Sequence, residues 1–186
     1  FTYDEAVNLY EKGKFQEAEE RLNKSISMNK GQAPFYNLMG MIRLRQKAYY
    51  EAEMDFKKAL SIDTDYQPSH YGLGTAYYLN GNYNRAVDEL KRSLELYPSH
   101  PPSLFGIGRS YFQLKEWKMA ILHLRDFAKI TPKHPEVHGM LGISYENTRD
   151  IISAIHEYEL QVRVAPNTNL GRYARERLYV LKPPVK

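Results

Sequence analysis

The chain has 186 residues, 42% of them hydrophobic, with 26 Lys and Arg against 22 Asp and Glu for a formal net charge of +4, and no cysteine. That much apolar material can fill a buried core, whereas disulfides, thiol catalysis and cysteine metal sites are excluded. No run of about 18 apolar residues is present to form a membrane span. The first residue is Phe1 and no signal peptide is recognisable, so an address would sit in a preceding segment and the compartment is left open.

In chain order, Tyr3 to Glu11 reads as a helix, Gly13 as a turn, and Gln16 to Met28 as a second helix. Apolar residues at helical spacing then predict pairs over 34–46 and 50–62, 68–80 and 84–96, 102–114 and 118–130, and 136–148 and 152–164. The 67–100 segment shows the logic. Pro68 can open a helix in its first turn, where a missing N–H costs nothing. His70, Leu73, Gly74 and Tyr77 follow at helical spacing. Asn80-Gly81-Asn82 marks a turn, and Ala86, Leu90 and Leu94 share one face of the next helix. A last helix is expected over 170–181, stopped by Pro183-Pro184. Residues 169–186 carry Arg172, Arg175, Arg177, Lys182 and Lys186 against Glu176, which accounts for the whole net charge of +4. A basic end on a neutral body points weakly to an acidic partner or a membrane surface, and more strongly to a solvated helix end.

The pairs share a register of 34 residues. Gly40, Gly74, Gly108 and Gly142 keep it, as do Ala18, Ala52, Ala86, Ala120 and Ala154, then Tyr77, Tyr111 and Tyr145, and Pro98, Pro132 and Pro166. A fixed period of this length means one helical hairpin stacked on copies of itself. Small side chains let two helices approach, so Gly74 and Ala86 are expected at the tightest point of their hairpin. Large columns fill the remaining space: Tyr36, His70, Leu104 and His138 in one, Leu22, Phe56, Leu90, Leu124 and Tyr158 in another.

These residues resemble the tetratricopeptide repeat (TPR), whose signature is W-x2-L-G-x2-Y, A-x3-F and P. Leu73-Gly74-x2-Tyr77 with Ala86-x3-Leu90 and Pro98 carries the likeness. Ile107-Gly108-x2-Tyr111 with Ala120-x3-Leu124 and Pro132 repeats it, and Leu141-Gly142-x2-Tyr145 with Ala154-x3-Tyr158 and Pro166 repeats it again. Arg43 and Thr64 depart from the tyrosine and proline columns, and Ala6 and Lys30 stand where the first repeat would have Gly and Pro. The pentatricopeptide repeat, an RNA-binding hairpin, usually has a period of about 35 and lacks this register. The resemblance implies an all-α fold: a right-handed superhelical solenoid of about five hairpins with a C-terminal capping helix. It would form one domain over 1–186, with repeats near 1–32, 33–66, 67–100, 101–134 and 135–168 and the cap near 169–182.

The same resemblance implies a protein-interaction scaffold whose first helices line a concave groove. Three ladders of positions would face it. The first is Tyr3, Asn37, Tyr71, Phe105, Gly139 and Tyr173. The second is Val7, Met41, Thr75, Arg109, Ile143 and Arg177. The third is Tyr10, Leu44, Tyr78, Phe112, Glu146 and Val180. The candidate contact residues are Asn37, Met41, Tyr71, Thr75, Tyr78, Phe105, Arg109, Phe112, Ile143 and Arg177, because aromatics and Arg are enriched where interfaces are strongest. The partner is expected to be a protein or peptide, and self-association is compatible with the sequence.

Other chemistry finds little support. No continuous Lys/Arg stripe favours nucleic acid. In the co-chaperone subclass that holds a C-terminal carboxylate, Lys, Asn and Arg recur at fixed first-helix positions. Here those positions hold Tyr3, Val7, Leu38, Pro68 and Gly72, or one repeat later Asn37, Met41, Gly72, Pro102 and Gly106. Heat-shock chaperone tails are therefore not expected partners. Gly72-x-Gly74 and Gly106-x-Gly108 lack the third Gly and the preceding strand of a dinucleotide site. His134-x3-His138 has metal spacing, but Pro135 intervenes and no third ligand is evident. His156-Glu157 is followed by Leu160 where a zinc protease needs His. No catalysis, cofactor or metal is expected.

Overall fold

The computed structural model describes residues 3–29 and 32–182, and eleven helices account for the regular structure there. They are α1 (Tyr3–Glu11), α2 (Phe15–Asn29), α3 (Ala33–Arg45), α4 (Tyr49–Ile62), α5 (Gln67–Leu79), α6 (Tyr83–Leu96), α7 (Pro101–Gln113), α8 (Trp117–Ile130), α9 (Val137–Asn147), α10 (Ile151–Val164) and α11 (Asn169–Leu181). Each lies within one residue of its expected ends. Proline occupies the first turn of α3, α5 and α7, where it removes no helical hydrogen bond. Lys30, in the proline column, and Pro183-Pro184, expected to stop α11, lie outside the described residues.

The helices fall into two compact units, Phe1–Pro98 and Ser99–Lys186. In the first, α1 pairs with α2, α3 with α4 and α5 with α6 as antiparallel hairpins, and neighbouring hairpins meet through α2–α3 and α4–α5. In the second, α7 pairs with α8 and α9 with α10, α8 packs on α9, and α11 packs on α10 and α9. First helices also touch within each unit: α1 with α3, α3 with α5, α7 with α9, and α9 with α11.

The hairpin turns repeat one backbone solution. Residues with φ between 59° and 79° occur at Gly13, Lys47, Gly81, Lys115 and Arg149, in the 34-residue register. At each, the chain leaves the first helix through two reversed hydrogen bonds. The Lys115 N–H donates to the Phe112 carbonyl (3.0 Å) and the Glu116 N–H to the Tyr111 carbonyl (2.9 Å). The same pair is made by Gly81 and Asn82 with Tyr78 and Tyr77. This is the Schellman motif, which requires a left-handed residue. Only Gly adopts that conformation without a Cβ clash, and other L-residues lose roughly 1–2 kcal/mol there. Replacing Lys47, Lys115 or Arg149 by Gly is therefore expected to raise stability by up to about 1 kcal/mol each, after the greater unfolded-state freedom of Gly is subtracted. Urea unfolding of the three single variants measures this, and a loss of stability in all three would contradict it.

The glycine column meets the large column of the second helix. A Cβ built on Gly74 would lie 2.6 Å from Leu90 Cγ, and one on Gly142 would lie 2.5 Å from Tyr158 Cδ1. Gly40 faces Phe56 and Gly108 faces Leu124 in the same way. The expected partner of Gly74, Ala86, is fully buried, but it contributes its carbonyl oxygen at 3.2 Å rather than its side chain. Each of the four hairpins from α3–α4 to α9–α10 thus packs a bulky second-helix side chain directly on first-helix backbone.

A polar column crosses the same hairpins. Asp55, Glu89 and Glu157 stand in register on second helices. Asp55 meets Arg43, which takes the tyrosine position of the second repeat: Arg43 Nε lies 3.1 Å from Asp55, and its Nη2 lies 3.6 Å from Glu19. His70 Nδ1 meets Glu89 at 2.8 Å and its Nε2 meets the Thr64 carbonyl at 2.9 Å; His138 meets Glu157 and the Pro132 carbonyl, both at 2.7 Å. A doubly protonated His138 donates to both. The Glu157 bond accordingly lifts its pKa, against the opposing effect of burial and with help from the Pro132 carbonyl. Asp55 is pushed up to about 6, because burial outweighs the attraction of Arg43 and Glu19 and Glu51 add repulsion.

Both groups bind their proton more tightly folded than unfolded, so each stabilises the fold most on the acid side. The Asp55 contribution is lost as pH rises from about 4 to about 6, and that of His138 as pH rises above about 6.5 through its folded value. Urea unfolding across pH is expected to show that Asp55→Asn removes the first dependence and His138→Gln the second. Variant and wild-type profiles that stay parallel through these windows would refute the assignment.

Candidate functional site: the first-helix faces

In the first unit, the outward side of α3 and α5 carries Met41, Tyr71, Thr75 and Tyr78, all half-buried. Tyr78 packs its ring 5.4 Å from Tyr83 at the start of α6, and the Thr75 hydroxyl donates to the Tyr71 carbonyl (2.9 Å). Asn37, expected on the same surface, is buried at 5% exposure. Its Oδ1 accepts from the buried Ser69 hydroxyl at 3.0 Å. Asn37 thus joins α3 to α5, where satisfying a buried amide outweighs presenting it to a ligand.

In the second unit, α7 carries Phe105, Arg109 and Phe112, α9 carries Ile143, and α11 carries Arg177, again all half-buried. Phe105 turns its ring onto Phe127 (4.8 Å between centroids) and His134 (4.4 Å), and so fills the joint between α8 and the turn after it. The Arg109 guanidinium lies 5.6 Å from the centre of that ring. Phe112 meets Trp117, at the start of α8, edge-on at 5.5 Å. His134, in the turn after α8, is thus held by ring packing on Phe105 and Phe127.

Arg177 is anchored by Glu146 on α9 through an ion pair, with its Nε 3.1 Å from Glu146 Oε2. The same Oε2 accepts from the Tyr158 hydroxyl at 2.8 Å. Burial pushes Glu146 up, but Arg177 and Tyr158 outweigh it and hold the carboxyl below its usual range. Burial and the bond to Glu146 keep Tyr158 protonated. This network ties α9, α10 and α11 together.

Sequence reasoning missed Gln161, fully buried on α10. Its Oε1 accepts from the Gly139 N–H in the first turn of α9 (2.7 Å), and its Nε2 donates to the Pro135 carbonyl (2.8 Å) and towards Thr168 Oγ1 (3.3 Å). A long amide side chain in a column otherwise holding Ser25, Ala59, Ser93 and Phe127 was the available signal. Among the described residues, no group of three or more His, Cys, Asp or Glu is placed to hold a metal, and no helix is long and apolar enough to cross a membrane.

A tetratricopeptide-repeat profile matches residues 3–67, and a profile for subunit 3 of the anaphase-promoting complex, cyclosome, matches residues 46–127. No curated protein matches the chain at a significant level. Among solved structures, YrrB, described as a TPR protein with an unusual peptide-binding site, is 20% identical over 92% of this chain and 88% of its own, with a TM-score of 0.80. PilF of Pseudomonas aeruginosa is 15% identical over 98% and 91%, with a TM-score of 0.78. A chain of the APC/C hetero-tetramer Cut9–Hcn1 is 16% identical over 92% of this chain and 34% of its own, also with a TM-score of 0.78. The fold is therefore that of paired antiparallel helices in TPR-like hairpins, followed by a C-terminal helix. The chain is a tetratricopeptide-repeat protein. Proteins of this fold are typically non-catalytic scaffolds for protein–protein interaction.

Proposed function

We propose that this chain binds a peptide segment or helix of a partner protein on its first-helix faces, as one repeat domain of five hairpins with α11 as its closing cap. The observation that carries this reading is the set of side chains left half-buried there after the core is filled. Met41, Tyr71, Thr75 and Tyr78 in one unit, and Arg109, Phe112, Ile143 and Arg177 in the other, combine apolar area with guanidinium groups. Aromatic and Arg side chains of this kind supply most of the energy of protein interfaces. A surface held in place by ring contacts at Tyr78 and Phe112 also reduces the ordering cost of binding. The peptide-binding site named for YrrB supports the same reading. Asn37 supports the surface from beneath, and Phe105, half-buried against Phe127 and His134, borders it.

The test pairs affinity capture with a fold control. Arg109→Ala combined with Phe112→Ala is expected to lose partners that the intact chain retains, each truncation weakening binding by about 2 kcal/mol if it removes a central contact. The helical circular dichroism should be unchanged. Retention of every partner by the folded double variant would count against this face.

A further inference from the structure

The first-helix face of the first unit is uncharged at every ladder position. Tyr3, Val7 and Tyr10 on α1, Met41 and Leu44 on α3, and Tyr71, Thr75 and Tyr78 on α5 are all half-buried there, around the buried Asn37. α3 touches both α1 and α5, so the surface is continuous within the unit. The same columns of the second unit hold Arg109, Glu146 and Arg177. Charged side chains of α1 and α3 stand off the face. Asp4 and Glu11 flank it on α1, and Glu5 lies farther round that helix. Arg43 turns to Asp55, and the Arg45 guanidinium lies 5.5 Å from the centre of the Phe15 ring. α5 has no Asp, Glu, Lys or Arg.

Hydrogen bonding on this face is one-sided. Its amide, thioether and Tyr71 carbonyl acceptors are spent inside the unit. Asn37 Oδ1 accepts from the Ser69 hydroxyl (3.0 Å), Met41 Sδ from Asn37 Nδ2 (3.7 Å), and the Tyr71 carbonyl from the Thr75 hydroxyl (2.9 Å). The tyrosines supply apolar ring area that ends in a hydroxyl, which can donate. Burial raises the pKa of Tyr3, so its phenol keeps its proton. The rings also keep a spacing. Tyr3 and Tyr10, like Tyr71 and Tyr78, stand two helical turns apart, which is about 10.5 Å along the axis. One turn of a polyproline II chain advances about 9.3 Å.

We infer that the first unit takes an uncharged, proline-rich segment of the partner protein in the polyproline II conformation. This deepens the peptide-binding reading and rests on it. A charged side chain seated on the face would lose water without gaining a counter-charge. An extended chain with ordinary N–H groups would bury donors where few acceptors are left. Proline brings no N–H, and the carbonyls of a polyproline II chain have no internal partner. Those carbonyls accept from the phenols, while the pyrrolidine rings pack on the tyrosine faces. Such a chain is ordered before it binds, so little freedom is lost. A helical segment satisfies its own carbonyls and gives the phenols nothing to donate to.

Fluorescence anisotropy of the full chain with a labelled polyproline peptide tests this. The peptide is expected to bind at least about tenfold more tightly than an uncharged Gly-Ser peptide of equal length or an amphipathic helical peptide. With no charge to match, its affinity should not fall between low and high salt. Tyr71→Phe with Tyr78→Phe keeps the rings but removes two donors, and should weaken binding. Thr75→Lys sets a cation in the middle of the face and should abolish it. Both variants should keep the circular dichroism of the wild type. Equal affinity for the three peptides, preference for the helical one, or a Phe double variant that binds like wild type would overturn the inference. Affinity capture separates this from the reading beneath it. If Thr75→Lys loses captured partners while polyproline is never bound, the peptide-binding face stands and the proline inference alone falls. If the folded Thr75→Lys chain keeps every partner, both fall for this unit.

Discussion

Gly171→Ala is expected to loosen α11 from the rest of its unit and to lower stability by about 1–3 kcal/mol, the usual range for overpacking a close contact. A Cβ at this position would lie 2.2 Å from the Ala165 carbonyl oxygen and 2.7 Å from that of Pro166. Both obstacles are backbone, so no rotamer change relieves them, and the helix must withdraw by roughly 1 Å to recover ordinary contact. Withdrawal strains the Gly171 N–H bond to the capping Thr168 hydroxyl (3.0 Å) and the burial of Ala174. It also strains the edge contact of Tyr173 on Tyr158 and the Arg177–Glu146 pair. Thermal unfolding should begin earlier, and trypsin should cut sooner at Arg172, Arg175 and Arg177. Glu176→Ala, on the exposed side of the same helix, is the control and should be close to neutral. If the two variants melt and digest alike, Gly171 does not set the seat of α11.

The hairpins were legible in the sequence because their determinants are local. Helical spacing of apolar residues, Pro in first turns and the turn signals at Gly13 and Gly81 place helix ends to within one residue. The turns at Lys47, Lys115 and Arg149 carry no such signal, since nothing in a lysine marks a left-handed backbone. They are recoverable only because the period copies the geometry of the glycine turns into those positions. The Gly–Ala pairing was read one step short. Small columns were matched with small columns, whereas the structure sets each Gly against the large second-helix residue.

The first ladder of the candidate site illustrates a different difficulty. Positions 37, 71, 105 and 139 lie at the border between open surface and the joint with the next hairpin. There the neighbour's size decides the outcome. Gly139 is covered by Leu170, whose Cβ would be 2.8 Å from a Cβ built on the glycine. Asn37 is drawn inward by Ser69, and Phe105 by Phe127 and His134. The register fixes which way these side chains start but not how far the adjacent side chain extends. The second and third ladders, one turn along, keep Met41, Thr75, Tyr78, Arg109, Phe112 and Ile143 half-buried, neither absorbed into the core nor fully solvated.

Ala86→Leu is expected to destabilise the first unit by about 1–3 kcal/mol through overpacking. Ala86 is fully buried on α6, and its own carbonyl already stands 3.2 Å from where a Cβ on Gly74 would be. Leu90 fills the adjoining space, with its Cγ 2.6 Å from that point. Three added carbons have no void to enter, so α5 and α6 must separate. Hairpins in such stacks are stabilised by their neighbours. α5 also packs on α4, so the damage should spread to that joint and displace Tyr71, Thr75 and Tyr78 without altering them. Arg85→Leu, one residue earlier and exposed, is the comparison. Its guanidinium lies 5.7 Å from the Tyr77 ring centre, so its loss should cost only the 0.5–1 kcal/mol or so of an exposed cation–π contact. Urea unfolding of the two variants separates these outcomes. A larger loss for Arg85→Leu than for Ala86→Leu would mean that α6 presents the wrong face to α5, and the packing register would have to be redrawn for every hairpin that shares it.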